Sequence, residues 1–181
     1  MRRLLVASIV TSLLAIGLAG PAVANPNRAP APGPDPIAQV ALDNGFTQLV
    51  AALAYVDAEE GTDLVELFST RSGQHTVFAP TDAAFADLYE TLGVGGVTEI
   101  DSGLVLDVLL YHVAEGRRAA NSVVPRVGER SVATLLGPSL QVTTTPSIRT
   151  LAGQDVGFLA TDVSASNGVI HVIDEVLLPL G

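Results

Sequence analysis

The last apolar run of the chain constrains the fold more than any other feature. Along an extended strand from Val169 to Leu178, the side chains of Val169, Ile173 and Leu177 point one way, and those of Ile170, Val172 and Val176 point the other. A strand that is apolar at both parities has to be covered on both faces. Ser166-Asn167-Gly168 directly before it reads as a turn, because Asn and Gly tolerate positive φ at little cost.

Upstream, the apolar period is helical. Phe46, Leu49, Val50 and Leu53 fall at i, i+3, i+4 and i+7, so a helix should follow Asp43-Asn44-Gly45. Asp63 and Glu66 have the spacing of a capping arrangement that opens a short helix presenting Leu64, Leu67 and Phe68. His75 to Ala79 reads as a strand ended by Pro80. Thr81 or Asp82 then caps a helix with Phe85, Leu88, Tyr89 and Leu92 on one face, closed by Val94-Gly95-Gly96. Asp101 to Tyr111 is a further helix, with Leu104, Val108 and Tyr111 in register.

After Gly116 the pattern becomes short β-branched runs: Ser131 to Leu135, Leu140 to Thr144, Ile148 to Ala152 and Val156 to Ala160. They are separated by Gly137-Pro138, Thr145-Pro146 and Gly153. Helices first and strands later predict an α+β fold rather than a doubly wound parallel sheet, in which the two alternate. No fixed-period repeat suggests a solenoid or propeller.

The start of the chain reads as a targeting signal: Arg2 and Arg3, an apolar run from Leu4 to Leu18, and the small residues Ala22 and Ala24 before a polar stretch. The expected organisation is a signal peptide over 1–24, cut between Ala24 and Asn25, a Pro-rich disordered spacer over 25–36, and one domain over 37–179. The mature protein should be secreted and soluble, at most associated with a cell surface, with no membrane insertion after cleavage. The apolar run is shorter than the ~20 residues of a bilayer span.

Composition narrows the chemistry. Without cysteine there are no disulfides, thiolate nucleophiles or Cys-based metal sites. The formal net charge of −10 becomes −12 once Arg2 and Arg3 are removed, which disfavours nucleic acid and anionic membranes as partners. His75, His112 and His171 are too far apart for a local zinc motif, and no metal or other cofactor is expected. The acid-rich patch Asp57, Glu59, Glu60, Asp63 and Glu66 misses the spacing of a calcium-binding EF-hand loop and suits helix caps and solvated surface. Gly93-Val94-Gly95-Gly96 lacks the Lys-Ser/Thr of a phosphate loop. A hydrolase would need His112 or His171 as base and Asp162 or Asp174 as orienting acid, but there is no G-x-S-x-G elbow. His112 and His171 read instead as hydrogen-bonded core residues.

Three blocks together carry a family resemblance. Thr76-Val77-Phe78-Ala79-Pro80-Thr81-Asp82-Ala83-Ala84-Phe85, Leu109-Leu110-Tyr111-His112-Val113 and Asn167-Gly168-Val169-Ile170-His171-Val172-Ile173-Asp174 resemble, in order and spacing, the signatures of the fasciclin-like (FAS1) domain. The resemblance runs from Ile37 to Pro179. One copy behind a signal peptide is similar to the secreted single-domain bacterial members.

The resemblance implies a β-sandwich wedge with a helical cluster, and a role in adhesion or extracellular protein contact without catalysis. The partner would be an extracellular or cell-surface protein or carbohydrate. The family's Tyr-His motif falls on Tyr111 and His112, and its Asp-Ile motif on Asp162 and Val163, with Val in place of Ile. These four are the candidate contacts. Thr81, Asp82, Phe85, Asn167, Gly168 and His171 are the candidate structural residues. The alternative is a carrier of an apolar small ligand or lipid, which requires an apolar cavity of some hundreds of Å³.

Overall fold

The computed structural model describes residues 30–71 and 73–179, so the expected signal peptide lies outside the described residues. Three helices come first: α1 (Ile37–Asp43), α2 (Thr47–Glu60) and α3 (Leu64–Ser69). The strand β1 (His75–Pro80) leads into α4 (Asp82–Leu92). A 3₁₀ turn (Val97–Glu99) and α5 (Ser102–Tyr111) follow, then β2 (Val113–Glu115) and the short α6 (Ala120–Val123). The remaining strands are β3 (Arg130–Ala133), β4 (Ser139–Val142), β5 (Ser147–Arg149), β6 (Asp155–Ala165) and β7 (Gly168–Ile173).

The strands lie in the order β2-β1-β7-β6-β5-β4-β3. β1 and β7 run parallel with Phe78 opposite His171, and all other pairs are antiparallel. The sheet turns over at β6. Gly157 pairs with Ser147 of β5, Ser164 pairs with Val169 of β7, and the register with β7 shifts between Phe158 and Val163. Such irregularities bend and twist a strand. Main-chain bonds from Leu135 to Val113 of β2 and from Leu136 to Leu110 at the end of α5 tie the segment after β3 back to the first strands, so the strands enclose a sandwich.

The double apolar parity of β7 separates two cores. Ile170, with Val77 and Ala79 of β1, faces the helices, whereas Ile173, with Phe78, faces the inside of the sandwich. Beyond β7 the division continues, with Val176 in the helical core and Leu177 in the sandwich core. The chain is no longer a strand there, since β7 ends at Ile173.

Several local readings are corrected by tertiary contacts. Thr81 does cap α4, accepting from the Ala84 N–H at 3.2 Å. Asp82 serves a different helix: its carboxylate accepts from the Gln48 N–H at 2.9 Å and from the Thr47 hydroxyl, closing the start of α2, where Phe46 offers no side-chain cap. Asp63 caps nothing with its side chain. Asp57, reaching from the last turns of α2, accepts instead from the N–H groups of Leu64 and Val65, both at 2.8 Å, and from Thr62 Oγ1. Burial pushes the Asp57 carboxyl up, but the Thr62 hydroxyl and the two N–H donors together hold it below its ordinary value.

The turn before β7 also has a different physical basis. Neither Asn167 nor Gly168 has positive φ. Asn167 is fully buried; its Oδ1 accepts from the Ile37 N–H at 2.8 Å, and its Nδ2 donates to the carbonyls of Phe68 and Thr70. Gly168 is required by close approach, because a Cβ there would lie 2.1 Å from the His75 carbonyl oxygen.

The described part of the Pro-rich stretch is strapped to the domain rather than free. The Arg117 guanidinium donates to the carbonyls of Pro30, Ala31, Ala165 and Gly168 and to Ser164 Oγ. Gly33 N bonds Ala165 O, Ser166 N bonds Asp35 O, and Arg71 reaches Pro34 O. Proline-rich backbone has free carbonyls to offer, and a planar multi-donor head collects them.

Candidate functional site

Tyr111 and His112 sit where α5 enters β2, both in the interior at 0% and 2% exposure. The Tyr111 hydroxyl accepts from the Leu151 N–H at 3.3 Å, and burial pushes its pKa up. His112 Nδ1 lies 2.6 Å from the Val108 carbonyl, and its Nε2 accepts from the Leu177 N–H at 2.9 Å. A carbonyl can only accept and an amide can only donate, so the ring is neutral with its proton on Nδ1. Burial holds its pKa down at about 4. Neither side chain offers a surface to a partner.

Asp162 and Val163 lie within β6, at its irregular segment, and both are half-buried. Asp162 is the one described non-glycine residue with positive φ, at 63°, a conformation Asp tolerates better than most. It is held on two sides. Its Oδ1 accepts from the Ala120 N–H at 2.8 Å, at the start of α6, and its own N–H donates to His171 Nδ1 at 3.3 Å. His171 Nε2 lies 2.9 Å from the Arg118 carbonyl, which fixes the opposite tautomer from His112. The His171 ring packs between Phe78 and Phe158, with centroids at 5.7 and 6.0 Å, and burial lowers its pKa. Both histidines and the Asp162 carboxylate are thus engaged by main-chain groups.

The irregular segment pushes other residues outward. Leu159 is 60% exposed and Thr161 is exposed. Together with Val124, Pro125, Pro146 and Phe158 they line an open groove of about 500 Å³ between β6 and the end of α6. Val127, next in sequence to the groove-lining Arg126, is 87% exposed. Sequence reading missed this surface. The signal was there in Leu159, an apolar residue where the alternation of the strand breaks, but Leu159 could equally have been core.

A second depression lies on the helical side. Phe85, Leu88 and Leu92 of α4, Leu104 and Val108 of α5, and Leu178 wall an apolar cleft of about 190 Å³. The Tyr89 hydroxyl in its wall is engaged with Gln48 Oε1 at 3.3 Å. The helical stripes read from the sequence thus divide: Phe85 and Tyr111 are buried, while Leu92 and Leu104 are exposed. Among the described residues, no cluster of three or more His, Asp or Glu is placed to hold a metal ion, and no helix is long and apolar enough to cross a membrane.

Comparison with known proteins places this geometry in a wider group. Residues 44–179 match the model of the fasciclin domain. Protein sll1483 of Synechocystis sp. is 38% identical over 144 residues, covering 79% of this chain and 73% of that protein. Immunogenic protein MPB70 of Mycobacterium bovis is 36% identical over 148 residues, covering 80% and 69%. Among solved structures, a FAS1 domain pair from the insect cell adhesion molecule fasciclin I superposes with a TM-score of 0.51 at 19% identity. The match covers 75% of this chain and 46% of that one, and it shows a shared fold.

Proposed function

This chain belongs to the fasciclin domain family, and on that premise we propose that it works outside the cytoplasm as a non-catalytic, adhesion-type protein-interaction module. The structural neighbour, a domain pair of the insect cell adhesion molecule fasciclin I, supports the class of role. The observation that carries the reading for this chain is the groove at the irregular part of β6. Its apolar floor is presented by a rigid sheet, and polar Asn121, Arg126 and Thr161 stand among its lining residues. An apolar centre with a polar rim is the usual anatomy of a protein contact patch.

Within this site the residues divide by task. Asp162 holds the shape of the segment through Ala120 and His171, Val163 packs toward the helical core, and Leu159, Thr161 and Val127 make the contact. Tyr111 and His112 act from inside by fixing the joint between α5, β2 and the tail that carries Leu177. The partner is an extracellular or cell-surface protein or carbohydrate, bound without cofactor or metal. Secretion follows from the segment 1–24, and N-terminal sequencing of extracellular protein should start at Asn25.

The test is binding of the purified protein to native extracellular matrix or whole cells. Leu159→Ser and Val127→Ser together should reduce binding at least ten-fold, insensitive to chelator, with the thermal midpoint within about 2 °C of the parent. Unchanged binding in that double variant overturns the assignment of the surface.

A further inference from the structure

We propose that the cleft between α4 and α5 binds a small cationic amphiphile, a molecule with one apolar ring or short chain and one ammonium-type head. The site is separate from the β6 groove, so either can fail without the other. Three observations carry the proposal: the size of the cleft, its lack of free polar groups, and the charge beside it.

The cleft is apolar and of suitable size. An ordered water needs two to four polar partners, and the one hydroxyl in the wall is already bonded to Gln48, so water has little reason to stay. An apolar cavity of roughly 150 Å³ is enough to take a benzene ring; here about 190 Å³ is open at one side, with Leu92 and Leu104 51% and 37% exposed at the mouth. Exposed apolar side chains that surround a concavity are the part of a surface that most favours an apolar guest.

The neighbouring pocket supplies the other half of the ligand. It shares Leu88, Val176 and Leu178 with the cleft as a common wall, and continues to Asp87, Thr91, Gln154 and Glu175. Among the described residues, the carboxylates of Asp87 and Glu175 have no hydrogen-bond or ion-pair partner. The surroundings reinforce the sign: from 72 to 116, the stretch that builds α4, the 3₁₀ turn and α5, there are seven Asp and Glu and no Arg or Lys. A guest that lays its apolar part in the cleft brings its head to two carboxylates with no competing cation from that stretch, so a positive head is favoured and a carboxylate head is repelled. A neutral lipid or fatty acid uses only half of this surface.

The probes are 2-phenylethylammonium, 2-phenylethanol and 3-phenylpropionate, titrated into the whole protein and followed by amide chemical shifts. The expected result is that the ammonium binds at least three-fold tighter than the alcohol and the carboxylate more weakly than both, with shifts centred on Leu88, Leu104 and Leu178. Asp87→Asn with Glu175→Gln, both at exposed positions, should bring the three affinities together while the alcohol still binds. Leu104→Trp, at the half-open mouth, should block all three. The proposal is overturned if the alcohol or the carboxylate binds the parent as tightly as the ammonium. It is equally overturned if the charge variant keeps the ammonium preference, if the shifts centre elsewhere, or if none of the three binds.

Discussion

The two cores on either side of β1 and β7 are built to different standards of closure. Every member of the sandwich core, from Phe78 and Tyr111 to Leu140, Ile148 and Leu177, is fully buried, whereas Phe85, Val105, Val97 and Tyr89 of the helical core retain 5 to 8% exposure and border a cleft. Charge follows the same division. Residues 37–116 carry thirteen Asp and Glu against one Arg, and residues 117–179 carry five against five. Interiors pack closely when their side chains interdigitate, as they do inside the sandwich, whereas between α4 and α5 a cleft is left open. The closed half carries the β6 groove on its outer surface, and the half with the gap is the one with room for a small apolar guest.

The largest effect should separate the cores outright. Phe78→Ala opens a cavity in the sealed sandwich and should cost about 3–5 kcal/mol, whereas Leu88→Ala, on the wall of an existing cleft, should cost about 1 kcal/mol or less. Urea midpoints check both; equal losses would mean that the helical core is as tightly closed as the sandwich.

Next in size is the response to acid. His112 is held neutral with a pKa of about 4 against an ordinary value of 6.5, so below 6.5 the unfolded chain takes up a proton that the folded chain refuses. Stability is therefore complete above pH 6.5 and declines as pH falls toward 4, by about 3 kcal/mol from this group. His171 adds a loss of the same sign, and Asp57 contributes only at lower pH, below its ordinary value of 3.8. Chemical denaturation between pH 7 and 4 should show the fall, and His112→Gln, less stable at pH 7, should show a shallower one.

Smaller still are the caps that cross between helices. Thr81→Ala and Asp82→Ala should each cost about 1 kcal/mol, the first by loosening α4 and the second by loosening α2. Amide exchange distinguishes them: faster exchange at Gln48 in Asp82→Ala, and at Ala84 in Thr81→Ala.

How much of this could be read from the sequence depended on the range of the interaction. The double parity of Val169 to Ile173, the helical stripe at Phe46 to Leu53 and the Thr81 cap are local patterns, and each sits in the structure where it was read. In the sequence Asp57 is one acid of a surface patch and Asp82 a candidate cap of α4, because the helix each one caps is not its own. Asn167 and Gly168 read locally as a turn that tolerates positive φ, whereas the cause is a buried amide tie and a close backbone approach. The strand run Val156 to Ala160 stops where the irregular segment breaks the alternation, whereas β6 continues to Ala165. Arg117 gave no signal at all: nothing local marks an arginine whose partners are main-chain carbonyls 48 to 87 residues away.

Native-state hydrogen exchange tests the difference between the two cores most directly. Amides of Leu140, Val142 and Ile148 in the sealed sandwich should exchange only through global unfolding, with an opening free energy equal to the denaturation value. Those of Leu88 and Tyr89 on α4 should exchange through local opening at a clearly lower free energy, and slow when the cleft is filled by 2-phenylethylammonium. Protection in α4 equal to that in β4 would contradict the picture of one sealed core and one open core.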